Sequence, residues 1–136
     1  MTYQKIPDIE TIVVQFLNDS SSITEIAGAD CASTELPPNA TLPRIRVSLA
    51  GGSPVVRGWL HAPRVQIEAW AEDKTTAFDL FTEAAYVLEN GLDGAQFPEG
   101  IVTSFTQETG LSWSPDPATK TPRYLAGFVA HIHPNT

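Results

Sequence analysis

Two histidines, His131 and His133, stand two residues apart in a run that alternates like a β-strand, so their rings project from one face. Such a pair could begin a zinc site, but zinc takes three or four ligands. The remaining histidine, His61, and the single thiol, Cys31, lie far off in the chain with nothing to bring them near. The pair reads as a solvated strand end. Cys31 has no adjacent basic residue to lower its pKa, as a nucleophilic thiol requires. Ser20, Ser21 and Ser22 follow Asp19 without the G-x-S-x-G turn that presents a catalytic serine, and capping or turn chemistry accounts for them. Gly51-Gly52-Ser53 is no phosphate loop, because the lysine and the following helix are missing. Glu68 and Glu72 share a strand face but stand well apart along it, with no pocket in view to tune them as acid and base. Arg44 and Arg46, on the neighbouring run, offer them cross-strand ion pairs on the exposed face instead. These residues make no catalytic constellation; the chain reads as a non-enzyme with no cofactor and no metal.

The elements that position these residues centre on 63–91. Val65, Ile67, Ala69 and Ala71 alternate with Arg64, Gln66, Glu68 and Glu72, the period-two pattern of a strand with one covered face. Trp70 falls among the polar set, where it fits either a core residue or an interface anchor. Asp73 then offers an N-cap oxygen, and Ala77, Phe81, Ala84, Ala85 and Leu88 form a helical stripe with Phe78 at its margin. Asn90-Gly91 supplies a stop, glycine tolerating a left-handed cap. Val65, Ile67, Phe81 and Leu88 are the expected core. Upstream, Pro7-Asp8 opens a helix with Ile9, Val13, Phe16 and Leu17 on one stripe. Ser22 and Glu25 have capping-box spacing before a stop at Gly28. Residues 29–43 read as a loop stiffened by Pro37-Pro38-Asn39, with a short edge strand near Ser33 to Leu36. Arg44 to Leu49 is a strand, Gly51-Gly52-Ser53-Pro54 a hairpin-type break, and Val55 to Leu60 a less regular strand. Leu92 to Gly100 reads as loop, Ile101 to Trp113 as strand interrupted at Gly110, Pro115 to Pro122 as a mobile or partner-seeking loop, and Arg123 to Ile132 as a last strand. Short turns imply antiparallel pairing. The expected fold class is α+β: one two-layer domain over residues 1–136, an antiparallel sheet of four to five strands with two main helices on one face.

A chain of 136 residues suits one domain, and 42% hydrophobic residues with a mean hydropathy of −0.09 suit a soluble one with a real core. A net charge of −8 and a pI near 4.6 speak against a nucleic-acid surface and against attachment to an anionic membrane. One cysteine excludes an internal disulfide, no apolar run spans a bilayer, and Met1 to Pro7 has no signal-peptide core. A cytoplasm-like setting is expected, left only inside a larger assembly.

The order of elements, with Leu42-Pro43-Arg44-Ile45-Arg46-Val47, a glycine-containing hairpin, Arg64-Val65-Gln66-Ile67-Glu68-Ala69-Trp70-Ala71, the helix through Ala77 to Leu88 and the closing Arg123-Tyr124-Leu125-Ala126-Gly127-Phe128, resembles the tail terminator (tail completion, minor tail protein U-like) family of long-tailed bacteriophages. The resemblance covers nearly the whole chain; the Pro37-Pro38 pair and the Pro115 to Pro122 segment depart from it. It implies a structural protein assembled in the host cytoplasm and resident in the virion tail, at its head-proximal end. Six subunits would ring the tail tube there, halt its polymerisation and present a surface to the head–tail connector. Its partners would be further copies of itself, the tail tube protein and the connector or head completion protein, with no membrane. DNA would pass through the lumen without specific binding, an acidic lining repelling its phosphates. A head–tail joining or head completion protein is the rival from the same particle. A ligand-binding domain or enzyme would need a polar group within the Val65/Ile67/Phe81 layer, and none is present. A closed ring needs two different patches on each subunit. One is expected around Arg46, Gly52, Glu68 and Trp70, the other on the Leu92 to Gly100 or Pro115 to Pro122 loops.

Overall fold

The computed structural model describes residues 5–36 and 40–135, so the expected Pro37-Pro38-Asn39 centre and the first four residues lie outside the described residues. Three helices and seven strands follow in the order α1 (Ile9–Asn18), α2 (Ser21–Ala27), β1 (Ala32–Ser33), β2 (Arg44–Val56), β3 (Leu60–Trp70), α3 (Lys74–Gly91), β4 (Ala95–Phe97), β5 (Gly100–Gln107), β6 (Ser112–Trp113) and β7 (Arg123–His133). The α+β class holds. The sheet is larger than expected and mixed: its order is β1-β2-β3-β7-β5-β4, β6 also pairs β7, and β1 runs parallel to β2. It curls into a half-barrel.

Helix starts follow local chemistry. Asp8 caps α1 by accepting from Thr11 N at 3.2 Å and Thr11 Oγ1 at 2.8 Å, which puts Pro7 just outside the helix. Asp73 caps α3 in the same way through Thr76, at 2.8 and 2.9 Å. The expected capping box of Ser22 and Glu25 does not form; Ser22 lies inside α2, and Ser20 is the N-cap, its hydroxyl 3.2 Å from that of Ser22 and making no capping bond to the backbone. Gly28 ends that helix with φ at 86°. Gly91 is not a left-handed stop. It is the last residue of α3, and its missing side chain makes room for the Phe16 ring of α1, which an added Cβ would overlap.

Two loop expectations are corrected. Gly51-Gly52-Ser53-Pro54 does not turn the chain, because β2 runs through it to Val56. The glycines take φ of 92° and 119° and absorb a register shift between Leu49 and Gly52. The turn comes at Arg57–Trp59, closed by Trp59 N donating to the Val56 carbonyl at 2.9 Å. Residues 92–100, expected as loop, contain β4, paired with β5. The interruption at Gly110 is real: β5 and β6 lie along successive parts of β7, and Thr109 Oγ1 accepts from Gly127 N between them at 2.7 Å.

One hydrophobic core joins α1, α2 and α3 to one sheet face. Val65, Ile67, Phe81 and Leu88 are buried as the periodicities require, and the Phe81 and Phe128 rings meet at 6.3 Å between centroids. Phe78, at the margin of the stripe, is exposed, and Leu80 takes the buried place.

Candidate interaction surface

The groups with reactive chemistry are held by structural partners. His131 Nδ1 lies 2.9 Å from Ser104 Oγ, while His133 Nδ1 lies 2.9 Å from the Pro134 carbonyl and its ring stacks on Trp59 at 4.8 Å. Alternation leaves both imidazoles on one face, yet among the described residues no three His, Cys, Asp or Glu side chains converge as metal ligands. Cys31 is buried, and burial pushes its thiol pKa up, away from the reactive thiolate.

The outer sheet face carries the four residues expected at an interface, and it divides them. Arg46 and Glu68 are direct cross-strand partners in the β2–β3 register, as their spacing suggested. Glu68 is only 2% exposed. Its Oε1 accepts from Arg123 Nη1 at 3.0 Å and from Gln66 Nε2 at 3.3 Å, and Arg46 Nη1 stands 3.6 Å from Oε2. Arg123 also donates through Nε to the Ser114 carbonyl at 2.7 Å and lies over the Trp70 ring at 4.8 Å. Trp70 is therefore 5% exposed, roofed by a cation on a sheet face that carries no helix. Of the two readings open for Trp70, the subunit takes the core one, and Glu68, expected in the same patch, is buried as well: both are interior to an arginine–carboxylate cluster. Arg46 keeps a side chain 42% exposed.

The Pro115 to Pro122 loop helps to build that roof. Asp116 Oδ1 accepts from Ala118 N and Thr119 N at 2.8 and 3.0 Å, and these bonds hold its carboxyl below the usual carboxylate range. Asp116 N donates to the Thr121 carbonyl at 3.0 Å, and Ala71 N to the Pro122 carbonyl at 3.2 Å. The loop expected to be mobile or partner-seeking is tied to itself and to the end of β3.

Gly52 belongs to the long β2–β3 hairpin. A Cβ there would run into the Ala62 carbonyl and the Pro63 Cα, so only glycine lets the two strands pass at this bulge. From Leu49 to Arg57 every residue is exposed, and the hairpin stands out as an arm. At its base an open, mainly apolar groove of about 390 Å³ runs between Ile6, Pro7 and Ile9 on one side and Leu49, Gly52 and Pro54 on the other.

Exposed large apolar side chains fall into two groups. Ile6, Leu49, Val55 and Val56 gather on or beside the arm. Phe78, Tyr86 and Trp113 gather about α3 and β6, where Tyr124 touches both Phe78 and Trp113 and Lys74 lies 4.8 Å over the Trp113 ring. The groups lie toward opposite ends of the sheet: the arm continues from where His61 pairs Ile132, and Tyr124 lies at the start of β7. Charge is uneven along the chain but does not follow the same division: residues 36–67 contain no carboxylate and four of the eight basic residues, yet Arg44 and Arg46 pair with Trp70 and Glu68 near the Tyr124 end and only Arg57 lies on the arm, whereas 72–99 contain seven of the sixteen carboxylates and one lysine. No pattern search for catalytic motifs finds this. A plot of charge sign along the chain would have.

No protein-family model matches the chain, and no curated protein matches it. Among solved structures, its fold is similar to that of a chain in the virion of a native gene transfer agent particle. The TM-score is 0.65 at 16% sequence identity, over 92% of this chain and 94% of that one.

Proposed function

We propose that this protein is a non-enzymatic structural component of a phage-like particle: a tail terminator that rings the head-proximal end of the tail tube, stops its growth and offers the connector a docking surface. The observation that carries the reading is the fold likeness to a virion chain across almost the full length of both. It agrees with the element order that resembles tail terminators. The two separated apolar groups on one subunit suit a ring, whose contacts join unlike patches.

Copies of this chain, six by the family resemblance, would meet through the outer sheet face and arm, with Arg46 and Gly52 at the contact. Glu68 and Trp70 would act beneath it by holding the arginines in place. The tail tube and the head connector would bind the two rims, and DNA would cross the lumen without specific binding. The test is deletion of the gene in the producing strain, followed by electron microscopy with labelling of the protein on partial particles. Tails of uncontrolled length that fail to join heads, and label on isolated headless tails, are expected. Label on tailless heads would assign the protein to head completion instead, and normal particles in the deletion would overturn both.

A further inference from the structure

Near its Tyr124 end, the outer face of the sheet is short of hydrogen-bond acceptors. Arg44, Trp70 and Arg123 are direct neighbours across β2, β3 and β7, and Arg46 and Glu68 are the next pair along β2 and β3. Three guanidiniums stand there with one carboxylate in ion-pair range, and Glu68 does not serve them equally. Its Oε1 takes Arg123 at 3.0 Å. Arg46 Nη1 stands 3.6 Å from Oε2, an ion pair too long to be a hydrogen bond. Arg44 pairs with no carboxylate among the described residues; its Nη2 donates to Ser33 Oγ at 3.3 Å. Three N–H groups of this face, Arg44 Nε, Arg46 Nε and the Trp70 indole Nε1, are shut off from solvent without a partner, against one acceptor atom, Glu68 Oε2. Donors left in this state cost the fold stability, which an incoming acceptor recovers.

We propose that Arg44 and Arg46 form a receiving site for an acidic side chain of a protein partner, a glutamate or aspartate carboxylate set between the two guanidiniums. The two arginines alternate with buried Ile45 and so share the outer face of β2. They start roughly 7 Å apart along the strand, a gap that two long side chains close onto one carboxylate, an oxygen toward each fork. A turn of either head then brings its Nε to the acceptor it lacks. The partner is an acidic protein segment and not nucleic acid, because two arginines are few for a phosphate backbone and the chain around them, at a net −8, repels one. For its setting the site rests on the reading above, which puts this sheet face at a contact, and it deepens that reading by naming the chemistry that Arg46 meets there.

Titration of the native protein with tetraglutamate tests it, followed by proton–nitrogen correlation NMR of the arginine Nε–H and tryptophan indole N–H signals. Tetraglutamine is the neutral control, both peptides having blocked ends, and a short DNA duplex is the rival acid. Tetraglutamate is expected to move the Arg44, Arg46 and Trp70 signals saturably. Arg64, already paired with Glu108 at 2.8 Å, should stay in place. Arg44→Gln should weaken binding at least about tenfold, since a hydrogen bond to a charged group is lost; Arg64→Gln should leave it unchanged. Binding should weaken as salt screens the charges. Arg46→Gln repeats the test should Arg44→Gln disturb folding. Equal shifts with tetraglutamine, or native affinity in the Arg44 variant, overturn the proposal. DNA moving the same signals at lower concentration than the peptide overturns it too, by making the face a nucleic-acid site. No shift with tetraglutamate, with label still on headless tails, would sink this site and leave the terminator reading standing. A saturable shift, with normal particles in the deletion, would do the reverse.

Discussion

Among single residues, Glu68 does the most unusual work. A carboxylate 2% exposed is costly unless paired, and here two guanidiniums and a glutamine amide approach it. The sequence reveals half of this: Arg46 and Glu68 alternate onto one face of adjacent strands. The other half is invisible locally, because Arg123 arrives from 55 residues away and its register on β3 depends on the whole sheet. The same arrival decides Trp70, whose position among polar residues admits core and surface alike until a guanidinium closes over the ring. Glu68→Gln removes the charge and keeps the shape, leaving two cations facing each other in a partly dry site. A loss of about 2–3 kcal/mol in urea unfolding is expected. A loss below about 0.5 kcal/mol, the range of ordinary surface changes, would mean that water already screens the cluster.

At the scale of elements, the α3 and β3 periodicities are clear because each has a single buried face, and such patterns survive any tertiary arrangement. Glycines are the harder signs. Gly51-Gly52 signals a turn by composition, yet it serves a bulge, since the strand pairing on either side is strong enough to carry the chain through. Gly91 signals a helix stop, yet it serves a close approach of Phe16. The Asp73 cap is read correctly, whereas the Ser22–Glu25 capping box is not. Backbone and side-chain bonds from Thr76 hold the Asp73 carboxyl below its ordinary pKa. A group with a depressed folded pKa contributes stability that is full above its unfolded value and is lost as pH falls through the folded value. Asp73→Ala is therefore expected to melt earlier than the native protein at pH 7. The gap should narrow in acid, below the ordinary aspartate range, where the native carboxyl is protonated too. Thermal scans of both proteins across pH measure this; a gap that stays constant into strong acid would show that the cap works without its charge.

On the scale of the whole molecule, the α+β class and the single helix-covered sheet face are legible from order and amphipathicity. The strand count is not. The two-residue strands β1 and β6 and the three-residue β4 are too short to carry a period, and exist only because longer neighbours offer open edges. The candidate surface was legible in part: Arg46 and Gly52 lie on or beside it, while the exposed aromatics of α3 were hidden by that helix being read only for its buried side.

The position of β7 governs when this protein can exist as a folded object. It lies in the middle of the sheet, with β3 on one side and β5 and β6 on the other, and of the described strands it comes last in chain order. Strands β3, β5 and β6 each lack a neighbour until it arrives, so a nascent chain that has exposed everything through β6 holds β1-β2-β3 and β4-β5 as separate pieces, with no continuous sheet and no finished core. A ribosome-stalled chain ending before Arg123 should be cut readily by protease. One stalled far enough downstream to free His133 from the exit tunnel should resist it. Equal resistance in both would mean that the first six strands hold together unaided. Synthesis thus supplies its own clock: the sheet that carries the arm and backs α3 becomes continuous only once β7 has emerged.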